Sequence, residues 1–143
     1  QAYVAQDNNQ WVIELILPAA DILGFEHSPE TPKQKETLSR FRDTTRTPEN
    51  FIKLPPRCKF VSVNVSLPSD NNEEHNHHSN HDHKDHGDNK ESHGNVVLSF
   101  EYRCQSAIER ITFPILETYQ SLSSISVEWI SESSLYLSEK LII

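Results

Sequence analysis

The sequence predicts an α+β domain with a mostly antiparallel sheet of six or seven strands and two or three short helices. Short runs that are rich in β-branched and aromatic residues, or that alternate apolar with polar residues, recur along the chain and are typical of strands. Helix-start signals occur near Thr31 and Thr47. The length of 143 residues suits a single domain over residues 1–143, because two ordinary domains need a longer chain.

One stretch differs in composition from the rest of this domain. Apolar residues make up 35% of the chain, which is low for a compact domain, but the deficit is local because residues 70–94 contain no apolar side chain. Without that stretch the remainder has the composition of a normal small domain. We therefore expect residues 70–94 to form a long disordered insert that adds nothing to the core.

The first two predicted strands form a hairpin. Ala2–Gln6 is a short strand, and the turn cluster Asp7–Gln10 separates it from the strand Trp11–Leu17, which reads WVIELIL. Pro18 ends the second strand, and a linker over Ile22–Pro29 follows. The chain then leaves the sheet for its helical part.

The first predicted helix begins with a capping box. Thr31 can cap the helix, Pro32 fits its first position, and Gln34 can reach back to the cap. Leu38 and Phe41 lie three residues apart and form the apolar face that packs on the domain.

The remaining predicted elements are a second helix, a helical turn and five strands. Thr47 can cap the second helix, whose apolar residues are Phe51, Ile52 and Leu54. The strands are Cys58–Leu67, Asn95–Cys104, Ile111–Phe113, Ile125–Ile130 and Leu135–Ile143, and the helical turn is Pro114–Leu122. The first of these strands alternates, which predicts a half-buried strand with an inner face of Val61, Val63, Val65 and Leu67.

Cys58 begins one predicted strand and Cys104 ends the next, so a bond between them would determine how these two strands pair. An even count in a small domain suits one disulfide in an oxidising compartment, and the alternative is two unpaired core cysteines in a cytosolic protein. If Cys58 opposes Cys104 in an antiparallel pair, Leu67 faces Asn95. These residues lie just before and just after the insert, so the ladder would end where the insert begins, and this agreement favours the disulfide. That register also turns the two apolar faces away from each other. Either the ladder contains a one-residue bulge, or the two strands are not direct neighbours.

The candidate ligands are concentrated in the insert, because seven of the eight histidines lie between residues 75 and 93. Neutral imidazole is the commonest protein ligand for zinc, which needs four ligands, and it also suits nickel and copper. We predict that this flexible string wraps around Zn²⁺ or another divalent transition metal. The predicted ligands are His75, His77, His78, His81, His83, His86 and His93, together with the interleaved Asp82 and Asp85.

Two other interpretations of the insert are a solvated spacer and a pH sensor, since histidines titrate near neutrality. A catalytic metal site needs three fixed ligands and an open fourth position, which a mobile string with surplus ligands does not provide. The one histidine outside the insert, His27, is either a hydrogen-bonded residue at the start of the helix or a contact for a metal or partner. Glu26 and His27 are therefore possible additional ligands.

Composition argues against several other functions. The net charge of −8 leaves no basic footprint for nucleic acid, and no apolar run is long enough to cross a bilayer. Of the three glycines, Gly24 is the one outside the insert, so a P-loop or a dinucleotide fingerprint is absent.

The segment Ile22–Leu38, which reads ILGFEHSPETPKQKETL, resembles the signature of the ZrgA family of periplasmic zinc-acquisition accessory proteins of Gram-negative bacteria. In that family a strand, a G-F-E-H-x-P segment and a helix precede a strand with a cysteine, a histidine-rich insert and a strand ending in a second cysteine. The matching motif residues here are Gly24, Phe25, Glu26, His27 and Pro29. The resemblance covers nearly the whole chain. It implies an exported protein, a Cys58–Cys104 disulfide, and a role beside a zinc ABC importer and its periplasmic solute-binding protein.

The residues and the resemblance together predict a periplasmic zinc-binding accessory protein rather than an enzyme. Its insert would capture Zn²⁺ and pass it to an importer or store it. One alternative is a small periplasmic metallohydrolase, for which a deep pocket lined by Glu26, His27 and a second carboxylate would be evidence. The other is a passive metal-storage or envelope interaction domain.

Overall fold

The computed structural model describes residues 1–68, 94–131 and 134–141. These residues form one six-stranded sheet with three α-helices, so the α+β class is confirmed. The strands are β1 (Ala2–Asp7), β2 (Gln10–Pro18), β3 (Cys58–Ser66), β4 (Asn95–Cys104), β5 (Ile125–Ser131) and β6 (Ser134–Leu141). The helices are α1 (Ala19–Leu23), α2 (Pro32–Thr44) and α3 (Ile115–Thr118), and a 3₁₀ turn covers Pro48–Asn50.

The sheet is mostly antiparallel. Its strand order is β3-β4-β2-β1-β5-β6, and β1 with β5 is the one parallel pair among the described strands. β1 and β2 form the predicted hairpin, which ends with Asp7 opposite Gln10. Asn8 in the turn has φ 53°, a left-handed conformation that asparagine tolerates in tight turns. β3 and β6 are the two edges of the sheet.

One face of the sheet carries the core. Every second side chain of the neighbouring strands β2 and β4 is buried there, namely Trp11, Ile13, Leu15 and Leu17 in β2 and Val96, Leu98, Phe100 and Tyr102 in β4. The helical residues cover this face. The ring of Phe51 lies 5.8 Å from that of Phe41 in α2 and 5.9 Å from that of Phe100 in β4. Each fully buried large apolar side chain contributes about 1.5–3 kcal/mol, so this interface supplies much of the stabilising free energy.

The α2 helix begins with the predicted capping box. The Gln34 N–H donates to Thr31 Oγ1 at 3.1 Å, and the Thr31 N–H donates to Gln34 Oε1 at 3.4 Å. Leu38 and Phe41 are the buried residues of the helix. Local capping and apolar spacing therefore sufficed to predict where this helix begins and which face it buries.

The second predicted helix and the short strand near residue 112 are both wrong. The helical part is only the 3₁₀ turn, and the Thr47 side chain makes no capping hydrogen bond. Lys53 and Thr112 instead exchange two backbone hydrogen bonds of 2.8 and 3.0 Å. This bridge holds the chain extended at Lys53. The residues expected on the second helix, Phe51, Ile52 and Leu54, therefore come after the 3₁₀ turn and lie on either side of the bridge residue. Ile111–Phe113 is reduced to this one bridge.

The β3–β4 ladder follows the predicted register at its cysteine end and then shifts. Cys58 faces Cys104, and the two residues form the predicted disulfide. One residue, Val61, is left over in a β-bulge, after which Val63 faces Phe100. The bulge brings the apolar residues of both strands to one side of the sheet. Of the two explanations for the mismatch of apolar faces, the bulge is the one observed.

The bulge also overturns two finer expectations. Val61 does not lie on the inner face, because its side chain is 50% exposed where the bulge lifts it from the ladder. The ladder ends with Ser66 opposite Val97, so the pairing of Leu67 with Asn95 is not made. Leu67 itself is buried, as predicted.

Candidate metal centre

A tight turn at the end of α1 presents the motif residues Glu26 and His27. The sequence does not predict α1, because its five residues are too few for an apolar period to show. The helix ends at Gly24, whose φ of 83° favours glycine and whose N–H donates to the Ala20 carbonyl at 3.0 Å. Phe25 is buried in the core, whereas Glu26 and His27 are exposed. The core thus anchors the turn and leaves its two candidate ligands accessible.

The hydrogen bond of His27 fixes which of its two ring nitrogens has a free lone pair. Its Nδ1 lies 2.7 Å from the Ser28 carbonyl oxygen. A carbonyl oxygen only accepts, so Nδ1 carries the proton, and in the neutral ring the lone pair lies on Nε2. Metal-binding histidines commonly use this arrangement, in which one nitrogen donates to a carbonyl and the other binds the ion. The Phe25 ring, 5.8 Å from the imidazole, restricts the ring further.

Both ends of the histidine-rich insert are attached to this same turn. At one end, the Ser28 hydroxyl donates to the Pro68 carbonyl at 3.4 Å. At the other end, Gly94 packs so closely on the Glu26 carbonyl that a Cβ at residue 94 would overlap its oxygen. The Gly94 carbonyl also accepts the N–H of Ala19 at 2.9 Å. Pro68 and Gly94, which flank residues 69–93, therefore both lie beside the turn that carries His27.

The predicted ligands of the insert lie outside the described residues. These are His75, His77, His78, His81, His83, His86 and His93 with Asp82 and Asp85, all within residues 69–93. Within residues 1–68, 94–131 and 134–141, no group of three or more His, Cys, Asp or Glu side chains is arranged to hold a metal ion. Glu26 and His27 are the predicted ligands that the described structure places beside the insert.

The two cysteines are separated from this turn. Their disulfide lies at the Cys58 end of the β3–β4 ladder, whereas the insert joins these strands at the opposite end, after Ser66. A disulfide sulfur is no thiolate, so neither Cys58 nor Cys104 can serve as a zinc ligand while the bond is intact.

Comparison with known families assigns the chain. A family model described as ZrgA family zinc uptake protein matches residues 1–137. The chain belongs to this family. No curated protein matches the chain. Membership in the ZrgA family confirms the resemblance carried by residues 22–38 and associates the chain with zinc uptake. In the described residues of this family member, no helix is long and apolar enough to cross a membrane.

Sequence reasoning missed the residues that join the insert to the turn, namely Ala19, Ser28, Pro68 and Gly94. Spacing relates residues that are near in sequence, and these contacts connect positions 40 or more residues apart. One signal was available in the printed sequence. Gly94 directly precedes a strand, where a glycine often marks a close approach of another backbone.

We expect Gly94→Ala to destabilise this ZrgA family protein by about 1–3 kcal/mol, because the added methyl meets backbone rather than a movable side chain. Urea denaturation followed by circular dichroism measures the loss. Asn95→Ala is the matched control, since Asn95 is an exposed neighbour whose truncation should change the free energy of unfolding by less than about 0.5 kcal/mol. Equal stability of the two variants would mean that residue 94 does not rest on the Glu26 carbonyl.

Proposed function

We propose that the protein captures Zn²⁺ in the periplasm through residues 70–94 and supports uptake by a zinc ABC importer. In this proposal it passes the ion to the periplasmic solute-binding protein of that importer. Membership in a zinc uptake family supports the coarse role. The single observation that supports the mode of capture is that both ends of the histidine-rich insert meet the turn carrying His27.

The proposed ligand set combines one positioned ligand with many spare ones. His27 offers Nε2 from a turn anchored by Phe25 and Gly24, so little ordering accompanies its use. The insert supplies the other ligands of a tetrahedral site from seven histidines and the carboxylates of Asp82 and Asp85. Glu26, beside His27, adds a third carboxylate that can serve as a ligand. An ion held by interchangeable ligands can be released to a partner whose site is better organised.

The periplasmic location is part of the proposal, and the disulfide supports it. Disulfides persist in oxidising compartments such as the bacterial periplasm and are rare in the cytosol. The Cys58–Cys104 bond spans 46 residues of sequence and encloses the entire insert. The bond therefore holds together β3 and β4, the two strands that flank the insert with the proposed ligands.

We propose a carrier rather than an enzyme because of the way the candidate ligands are presented. A catalytic zinc ion needs three fixed ligands that hold a water molecule in one orientation. Here Glu26 and His27 are neighbours in sequence with exposed side chains, and the other ligands come from a string with surplus histidines. Surplus ligands suit capture and release, in which the ion itself is the cargo.

We expect His27→Ala to weaken zinc binding by about tenfold, because it removes the one ligand whose orientation is fixed before the metal arrives. A single substitution within the insert, His81→Ala, is the matched control. It should weaken binding less, since neighbouring histidines can replace the missing one. Calorimetric titration with Zn²⁺ measures both affinities, and the near-ultraviolet circular dichroism of each apo variant checks that the fold is intact.

Equal affinities for these two variants would exclude a special role for His27 and leave zinc capture to the insert alone. A ¹⁵N spectrum of the imidazole nitrogens gives an independent measure. Zinc should shift the Nε2 resonance of His27 and leave its Nδ1 protonated, because Nδ1 is bonded to the Ser28 carbonyl.

A further inference from the structure

The β3 edge of the sheet exposes apolar side chains on a strand with a free side. In the described structure the exposed large apolar residues are Phe60, Val61 and Ile130, which are 42, 50 and 52% exposed. Two of them are consecutive in β3. This strand pairs with β4 on one side and with no described strand on the other. A free edge of this kind is a ready template for pairing with another chain.

The two sides of β3 differ in chemistry. Phe60 lies on the core side, because it faces the buried Tyr102 and its ring lies 5.7 Å from the tyrosine ring. Val63 and Val65 continue this row as half-buried residues. Lys59 lies on the other, open side of the sheet. A strand added to this edge would therefore place alternate side chains against an apolar row and beside a cation.

The cation at this edge is part of a pair. Lys59 faces Arg103 directly across the ladder, and both side chains are exposed. Like charges in this position repel each other. Glu101, a carboxylate on the same face of β4 as Arg103, accepts hydrogen bonds from Gln10 Nε2 at 2.7 Å and Ser62 Oγ at 3.3 Å. In the described part of the chain no salt bridge involves either cation, although the protein carries a net charge of −8.

We propose that the β3 edge binds an extended segment of another protein as an additional strand, and that this segment alternates acidic with apolar residues. Its carboxylates pair with Lys59 and Arg103 on the open side, and its apolar residues cover Phe60 and Val63 on the core side. The backbone of the added strand bonds to the free edge of β3.

Charge complementarity selects this partner over a second copy of the chain. β3 reads CKFVSVNVS and contains no carboxylate, so pairing of two β3 strands leaves both cation pairs unmatched. The bulge at Val61 interrupts the regular edge, which disfavours indiscriminate pairing of strands there.

The test uses the full chain without zinc and two fluorescent peptides that match the nine residues of β3 in length. One peptide alternates Glu with Val, and the other alternates Lys with Val. We expect the Glu peptide to bind in fluorescence anisotropy titrations and the Lys peptide not to bind. The double variant K59E/R103E should weaken binding of the Glu peptide by about tenfold. The control K33E/K35E, which makes the same charge change on exposed residues of α2, should leave it unchanged.

Several results would overturn the proposal. Failure of the Glu peptide to bind, equal binding of both peptides, or equal weakening by K33E/K35E would exclude a specific acidic strand at this edge. A dimer in sedimentation experiments that Val61→Asp dissociates would show that a second copy occupies the edge. Binding of anionic lipid vesicles that depends on Lys59, without binding of the Glu peptide, would assign the cations to a membrane surface. None of these results depends on zinc, so they are distinguishable from failure of the zinc proposal.

Discussion

Replacing all seven histidines of residues 75–93 with glutamine is expected to weaken zinc binding by about a hundredfold or more. The variant retains the length and the acidic residues of the insert but removes every imidazole except that of His27. One nitrogen ligand and scattered carboxylates do not enclose an ion tetrahedrally. Calorimetric titration of the intact and substituted chains with Zn²⁺ measures the loss.

The fold of this variant should be unchanged, because residues 70–94 contain no apolar side chain and the described structure builds its core from other residues. The matched control replaces Asp82, Asp85 and Asp88 with asparagine and should retain most of the affinity. The affinity of the intact chain should also fall as the pH decreases from about 8 to 5.5, since imidazole must be neutral to bind zinc. A flat pH profile, with a large loss in the aspartate variant, would identify carboxylates as the ligands.

Removing the disulfide with the double variant C58A/C104A is expected to lower the free energy of unfolding by about 4 kcal/mol. The bond joins residues 46 apart, so its loss frees a long loop in the unfolded chain. The variant also releases the end of β3, an edge strand held on one side by β4. Urea denaturation of oxidised wild type and variant measures the difference.

Reduction of the wild type supplies the control for the effect of the substitution itself. A reductant should destabilise the wild type by a similar amount and leave C58A/C104A unaffected. A loss below about 1 kcal/mol in both measurements would mean that the bond does not constrain the unfolded chain, against the loop-closure argument.

The parts of the fold that were predictable from sequence depend on local chemistry. The capping box at Thr31 and the alternation in β4 act over a few residues, so the printed sequence contains the information needed to place them. The bulge at Val61 was predictable only as one of two ways to reconcile the cysteines with the apolar pattern. The bridge between Lys53 and Thr112 was not predictable, because it joins two segments that are far apart in the sequence and no local pattern relates them.

The candidate site likewise combines features that were predictable from the sequence with features that were not. The concentration of histidines and the motif around His27 are visible in the sequence and predict zinc chemistry. The meeting of Pro68 and Gly94 at the Glu26–Ser28 turn arises from the pairing of β2 with β4, which brings Asn95 opposite Pro18. Tertiary pairing, rather than any local pattern, therefore places His27 beside the insert.

X-ray absorption spectroscopy at the zinc edge tests the central claim most directly, because it identifies the atoms bound to the ion in the full chain. We expect a four-coordinate site with nitrogen ligands at about 2.0–2.1 Å, the multiple-scattering signature of imidazole rings, and a change in this signature in His27→Ala. A sulfur ligand at about 2.3 Å, or a shell of oxygen ligands without imidazole scattering, would contradict zinc capture by His27 and the histidines of the insert.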